Sequence, residues 1–211
     1  MNAIFNNNEV LFKRNEDLIR ITACAENSLR FEAFPDGEFF EENFTLMPKS
    51  LNLEINEKEN KVEIKNGALS AVLESRGKIT FFKNGVPLLE ENNELAFDSG
   101  WRFYESNENN TYYARATFKP ARNEHFYGLG HEASNQFDLK GSSFDLRHVN
   151  AKCSIPLFIP PSATALSGII PPSEMLNFQT TERAGLLLQQ EKSTMLLSQA
   201  IRRKFQKRLP I

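Results

Sequence analysis

The sequence predicts an all-β fold, an antiparallel β-sandwich, for residues 1–157. Three observations point to it. Short runs alternate apolar and polar residues with a period of two, the pattern of half-buried strands. Asn-Gly pairs at Asn66-Gly67 and Asn84-Gly85 mark two hairpin turns. Of the 18 phenylalanines, 15 lie before residue 158, enough bulky side chains for the inner faces of two packed sheets.

In chain order, the first expected strands are Leu18–Cys24 and Ser28–Phe34, both rich in apolar residues. Leu51-Asn-Leu-Glu-Ile-Asn and Lys61-Val-Glu-Ile-Lys alternate strictly. Lys65-Asn66-Gly67 then predicts a type I′ turn, because Asn and Gly tolerate the positive φ that such a turn demands. Ser70–Leu73 and Lys78–Lys83 follow, and Lys83-Asn84-Gly85 predicts a second such turn. Trp101–Tyr104 and Thr111–Phe118 complete the set. Turn signals spaced by roughly ten residues, with no helical stripe between them, favour a sandwich over βαβ units.

Composition narrows the class. Of the 211 residues 40% are hydrophobic and 25% charged, with a net charge of −2, as in a globular protein. No run approaches the roughly 18 apolar residues of a membrane span. The first nine residues have neither a basic nor an apolar segment of the kind a secretory signal carries. Cys24 and Cys153 make no disulfide framework, so the expected location is cytoplasmic, with reduced thiols. The small net charge argues against nucleic acid as the main partner, and no membrane partner is expected.

Residues 158–211 follow a different regime. They hold five of the ten prolines, no Asp, Tyr, Trp, His, Val or Cys, and seven basic against three acidic residues. That is +4, which leaves −6 for the first 157 residues.

The chemically informative stretch runs from Asn123 to Leu157. Tyr127-Gly128-Leu129-Gly130 lacks the spacing of a phosphate-binding loop, and no helix pattern follows it. His125, His131, Glu132 and His148 match no standard metal-ligand spacing, so no metal or cofactor is expected. Glu124, Glu132, Asp138 and Asp145 include either an acid–base pair or solvated loop carboxylates. Gly128, Gly130 and Gly141 fit tight bends at strand ends.

Taken whole, this stretch resembles the N-terminal β-sandwich of glycoside hydrolase family 31, which is galactose-mutarotase-like. The family has Glu-x-x-Tyr-Gly-Leu-Gly, then a Phe-Asp-Leu-Lys-Gly-like stretch, then a hydrophobic strand with Ile-Pro-Phe. The counterparts here are Glu124 to Gly130, Phe137 to Gly141 and Ile155-Pro156-Leu157, in the same order. The family's Asn-Thr before the last strand stands here as Asn150-Ala151, without the hydroxyl. The hairpins between Asn60 and Glu91 also look like the family's sandwich.

After Leu157 the direct resemblance stops. Rereading the tail from the third base of each codon permits Tyr-Ser-Ser, Gly-Tyr-Gly-Phe and Trp-Asn-Asn-Pro between Phe158 and Pro171. Further on it permits Asn-Asn-Arg-Thr-Arg-Trp, Ile-Asp-Tyr and Gly-Asp-Thr-Pro-Glu, the family's next landmarks in order. The expectation is therefore a frameshift near codons 157–158, with residues 158–211 an out-of-frame, disordered tail. The other reading is a genuine Pro-rich linker with a basic end, able to attract phosphates.

The resemblance implies a retaining enzyme acting on α-glucosides or α-xylosides. Such enzymes use two carboxylates about 5–5.5 Å apart. In this family both are aspartates in a (β/α)₈ barrel, which takes roughly 250 further residues. The expectation is that this chain holds no catalytic residue and is inactive alone. The family's sugar-bordering loop corresponds to His148–Lys152, which makes Asn150 and His148 the expected substrate-binding residues. A turn residue satisfying its own backbone is the plainer role for Asn150. An α-linked oligosaccharide is the implied partner, with a homo-oligomer for the full-length enzyme. The alternatives are a stand-alone carbohydrate-binding module, a mutarotase using His125 or His131 with Glu132, and an interaction module acting through the basic tail.

Overall fold

The computed structural model describes residues 3–14, 17–23, 25–35, 51–92, 101–107, 111–119, 124–131, 136–145, 150–159, 165–169, 175–178, 186–190 and 194–198. All regular structure among them is strand, paired antiparallel throughout, as the sequence predicts.

The first four strands are β1 (Ala3–Asn6), β2 (Glu9–Arg14), β3 (Asp17–Thr22) and β4 (Ser28–Phe34). Five more form a meander: β5 (Glu54–Lys58), β6 (Lys61–Asn66), β7 (Leu69–Glu74), β8 (Ile79–Lys83) and β9 (Val86–Glu90). They are followed by β10 (Arg102–Asn107), β11 (Thr111–Thr117), β12 (Tyr127–His131), β13 (Ser143–Asp145) and β14 (Cys153–Ile159). The last four are β15 (Ala165–Ile169), β16 (Met175–Phe178), β17 (Leu186–Gln190) and β18 (Thr194–Ser198).

Three sheets result. The largest runs β1-β2-β3-β4-β18-β15-β14-β12, the meander is β5-β6-β7-β8-β9, and the third runs β10-β11-β17-β16-β13. Alternation decides which faces meet. Val10, Phe12, Ile19, Ile21, Leu29 and Phe31 from the large sheet are buried in one cluster with Val62, Ile64, Leu73, Ile79 and Phe81 from the meander. The Phe31 and Phe81 rings meet edge to face at 6.0 Å. Each such side chain taken from water contributes roughly 1.5–3 kcal/mol, so this seam is the main source of stability.

The second Asn-Gly turn forms as expected: Lys83 pairs with Val86, and Asn84 (φ 50°) and Gly85 (φ 79°) are both left-handed. The first differs by one residue. Asn66 pairs with Leu69, so the loop is Gly67-Ala68, and only Gly67 (φ 61°) has positive φ. The side chain of Asn66 explains the shift. Its amide donates to the carbonyls of Ala25 and Ser28, while the Asn27 side-chain oxygen accepts from the Ala68 amide. The hairpin tip is thus docked on the β3–β4 turn, and Asn66 is held in the strand.

The tail differs from the expectation of disorder. Among its described residues β15 and β18 fill the large sheet between β14 and β4, and β16 and β17 extend the third sheet. The apolar runs Leu186–Leu188 and Met195–Leu197 meet strand edges on β11 and β4 that offer unpaired backbone groups. Cys24 and residues 199–211, including the basic end, lie outside the described residues.

Candidate functional site

The two motif segments singled out in the sequence fold into one clasp. Leu139 donates its amide to the Phe126 carbonyl at 2.9 Å. The Asp138 carboxylate accepts from the amides of Phe126 and Lys140, both at 3.1 Å, and from His125 Nδ1 at 2.6 Å. That last hydrogen bond is the main reason the Asp138 carboxyl lies below the usual carboxylate range. Lys140 Nζ reaches Glu124 at 2.8 Å and lies over the Phe126 ring. Phe126 and Leu139 are buried in the core, so charged ties outside and apolar anchors inside hold the same turn.

The Tyr-Gly-Leu-Gly segment and the Ile-Pro strand also explain each other. Tyr127 and Gly128 of β12 pair with Ile159 and Phe158 of β14, whereas Gly130 and His131 pair with Ser154 and Cys153. One residue, Leu129, therefore faces three, Ile155-Pro156-Leu157. A proline without an amide hydrogen sits well in such a bulge. Gly128, Leu129 and Gly130 all have positive φ (132°, 65° and 79°), and Leu129 is fully buried. A Cβ on Gly130 would lie 2.3 Å from the Cys153 carbonyl oxygen. The glycines do make the expected bends, at a place where two backbones touch.

Of the four carboxylates considered for acid–base work, Glu124 and Asp138 are engaged in the clasp. Glu132 lies outside the described residues, as does the side chain of Asp145. His125 pairs with Asp138, His131 is exposed on β12, and His148 lies outside the described residues. Asn150 is exposed in the turn that leads into β14, beside Ala151, whose φ of 64° is unusual for a residue with a side chain. The pairing of Cys153 with His131 sets this turn at the end of β12. No group of three or more His, Cys, Asp or Glu suited to a metal occurs among the described residues.

Two features escaped the sequence. The first is a ring surface beside the clasp. His125 and Tyr127 are two residues apart, and their rings stack at 6.5 Å and 16°. Tyr127 then meets Phe137 at 4.9 Å, although Phe137 is 84% exposed. The period-two spacing of His125 and Tyr127 was a legible signal; the return of Phe137 depends on the clasp.

The second is a buried ionic network. Arg102 binds Asp17 at 2.5 Å, Glu91 at 3.0 Å and the Gly77 carbonyl at 2.8 Å, and Tyr104 donates to Asp17 at 3.0 Å. Glu91 also accepts the Ile79 amide. Burial pushes the Glu91 carboxyl up to about 7, against the opposing pull of Arg102. Arg102 stays a cation, held between Glu91 and Asp17. The network ties all three sheets together, a structural rather than a chemical task.

Comparison with known proteins agrees with this geometry. A family model described as the glycosyl hydrolase 31 N-terminal galactose mutarotase-like domain matches residues 18–156. An uncharacterised family 31 glucosidase of Pseudescherichia vulneris is 26% identical over 171 residues, covering 71% of this chain and 32% of that protein. Among solved structures, a family 31 α-xylosidase from a soil metagenome, complexed with xylose, superposes with a TM-score of 0.83 at 22% identity. That match covers 95% of this chain and 32% of the other. A family 31 dextranase of Flavobacterium johnsoniae, complexed with isomaltotriose, gives a TM-score of 0.72 at 16% identity, covering 93% of this chain and 25% of the other. These two likenesses establish the fold. The chain spans about a third or less of the length of each relative.

Proposed function

The chain belongs to glycoside hydrolase family 31, as its N-terminal galactose mutarotase-like domain, and from that premise we propose that it is the front part of a retaining α-glycosidase. The observation that carries this reading is the match over residues 18–156, which takes in the whole clasp and the Ile155-Pro156 pair. The substrate is an α-glucoside or α-xyloside, and the location is the cytoplasm. The nucleophile and the acid–base residue are supplied by a barrel outside residues 1–211, so this chain alone does not hydrolyse substrate.

The reading frame breaks near codon 157. Three things support this: the composition changes there, the family match ends at residue 156, and the family's landmarks follow in order in another frame. Within the domain, the segment His148–Lys152 borders the sugar, with His148 and Asn150 as its contacts.

The test compares residues 1–211 with the product of a restored frame on aryl α-glucosides and α-xylosides. Turnover is expected only from the restored product. In that product Asn150→Ala lowers kcat/KM by about tenfold, the usual scale for one lost polar contact of roughly 1.4 kcal/mol. Turnover by residues 1–211 themselves, or none by the restored product, contradicts the proposal.

A further inference from the structure

We propose that the ring surface of His125, Tyr127 and Phe137 is a carbohydrate subsite that takes the apolar face of a pyranose ring. This rests on the family reading for its ligand class, but its residues lie apart from the turn at Asn150.

Phe137 is a large apolar ring left 84% exposed, yet it is not on a loose segment. The next residue, Asp138, is fixed by two backbone amides and by His125, and Leu139 after it is anchored in the core. The exposure is therefore built into a stiff turn. Its ring leans on Tyr127 at 4.9 Å and 42°, and Tyr127 stacks on His125. The result is a row of three rings with polar groups at one end. Elsewhere Ile4 and Val86 are exposed as single aliphatic side chains, without such a setting.

A pyranose offers what this surface would recognise: an apolar face of C–H groups for a ring and a rim of hydroxyls for polar atoms. The Asp138 carboxylate accepts from His125 Nδ1, which fixes the ring's orientation and leaves Nε2 to hydrogen-bond a sugar hydroxyl. Tyr127 adds a phenolic hydroxyl that both donates and accepts. Such rings bring large contact area at little cost in rotamer entropy, as in other recognition surfaces.

The experiment is saturation-transfer NMR and calorimetric titration of residues 1–211 with isomaltotriose. The wild-type chain is expected to transfer saturation to the sugar C–H protons. Phe137→Ala weakens binding at least tenfold with an unchanged melting midpoint, since the side chain is exposed, and Phe137→Trp retains it. His125→Ala weakens it less. No transfer with the wild-type chain, or undiminished binding by Phe137→Ala, overturns the proposal. Because the readout is binding by this chain, a negative result leaves family membership standing. Equally, failed hydrolysis by the restored product leaves the ring surface standing.

Discussion

Single residues carry the strictest geometric demands in this fold. Gly130 shows the sharpest: a methyl group there meets a backbone carbonyl at 2.3 Å, and the φ of 79° is itself costly for any side chain. Gly130→Ala is expected to destabilise the domain by about 3 kcal/mol, combining steric shift and backbone strain, as read from urea unfolding. A loss under about 1 kcal/mol contradicts the close contact. Glu91 makes a different demand, which shows in pH. Its folded-state pKa of about 7 stands above the ordinary 4.5 because burial disfavours the charge. The stability it contributes is complete below about pH 4.5 and is lost as pH rises through about 7. The midpoint of unfolding should therefore fall between pH 5 and pH 8, by the equivalent of roughly 2 kcal/mol. Glu91→Gln should flatten that slope; a mutant with the same slope would assign the effect to another group. The bend at Gly130 is legible in the sequence, but its close contact and the burial of Glu91 are not. The Glu-x-x-Tyr-Gly-Leu-Gly string marks Gly130, but its reason lies in Cys153, 23 positions on, and Glu91 looks like any carboxylate in a polar run.

At the level of strands, the sequence was most legible where period two and turn chemistry agree. Ser28–Phe34 was found at its true bounds, and β6, β7 and β8 within one residue at either end. The strand expected at Leu51–Asn56 begins at Glu54, and Trp101–Tyr104 extends to Asn107. Among the strands the sequence did not show, β1, β2 and β9 have identifiable reasons. The β1–β2 hairpin turns on Asn7-Asn8 rather than Asn-Gly. β9 contains Pro87, which reads as a strand breaker, yet it lies at the edge of the meander beside a bulge, where no partner needs its amide. Burial on β3 and β4 goes beyond their apolar residues. Arg20, Arg30 and Glu32 sit on the face away from the meander, yet are nearly inaccessible because they pair with each other at 2.5–2.7 Å. Alternation marks one apolar face and is silent about a second face buried by charge pairing. The tail strands lead to a direct expectation. If β18 completes the large sheet beside β4, amides of residues 194–198 exchange with solvent at rates like those of residues 28–32. Unprotected amides at 194–198 beside a protected β4 contradict that pairing.

Across the whole molecule, the sandwich places its motifs on one β12–β14 seam: the clasp, the one-against-three bulge, and the turn with Asn150 at its end. This explains why the motif string reads as a family resemblance from the sequence alone. Its residues answer to backbone contacts within the domain, so they recur as a string. The chemistry was not legible in the same way, because Glu124 and Asp138 serve the clasp and no residue of the domain is assigned to bond cleavage. The composition break at residue 158 is where the proposed frameshift is placed. The most direct measurement is therefore the DNA sequence across codons 150–211 and several hundred bases beyond. A frameshift predicts a second frame that reads through Trp-Asn-Asn-Pro, Asn-Arg-Thr-Arg-Trp and Gly-Asp-Thr-Pro-Glu into a barrel with its catalytic aspartates. Early stop codons in every other frame would contradict it, and residues 158–198 would then stand as the genuine closing strands of an independent domain.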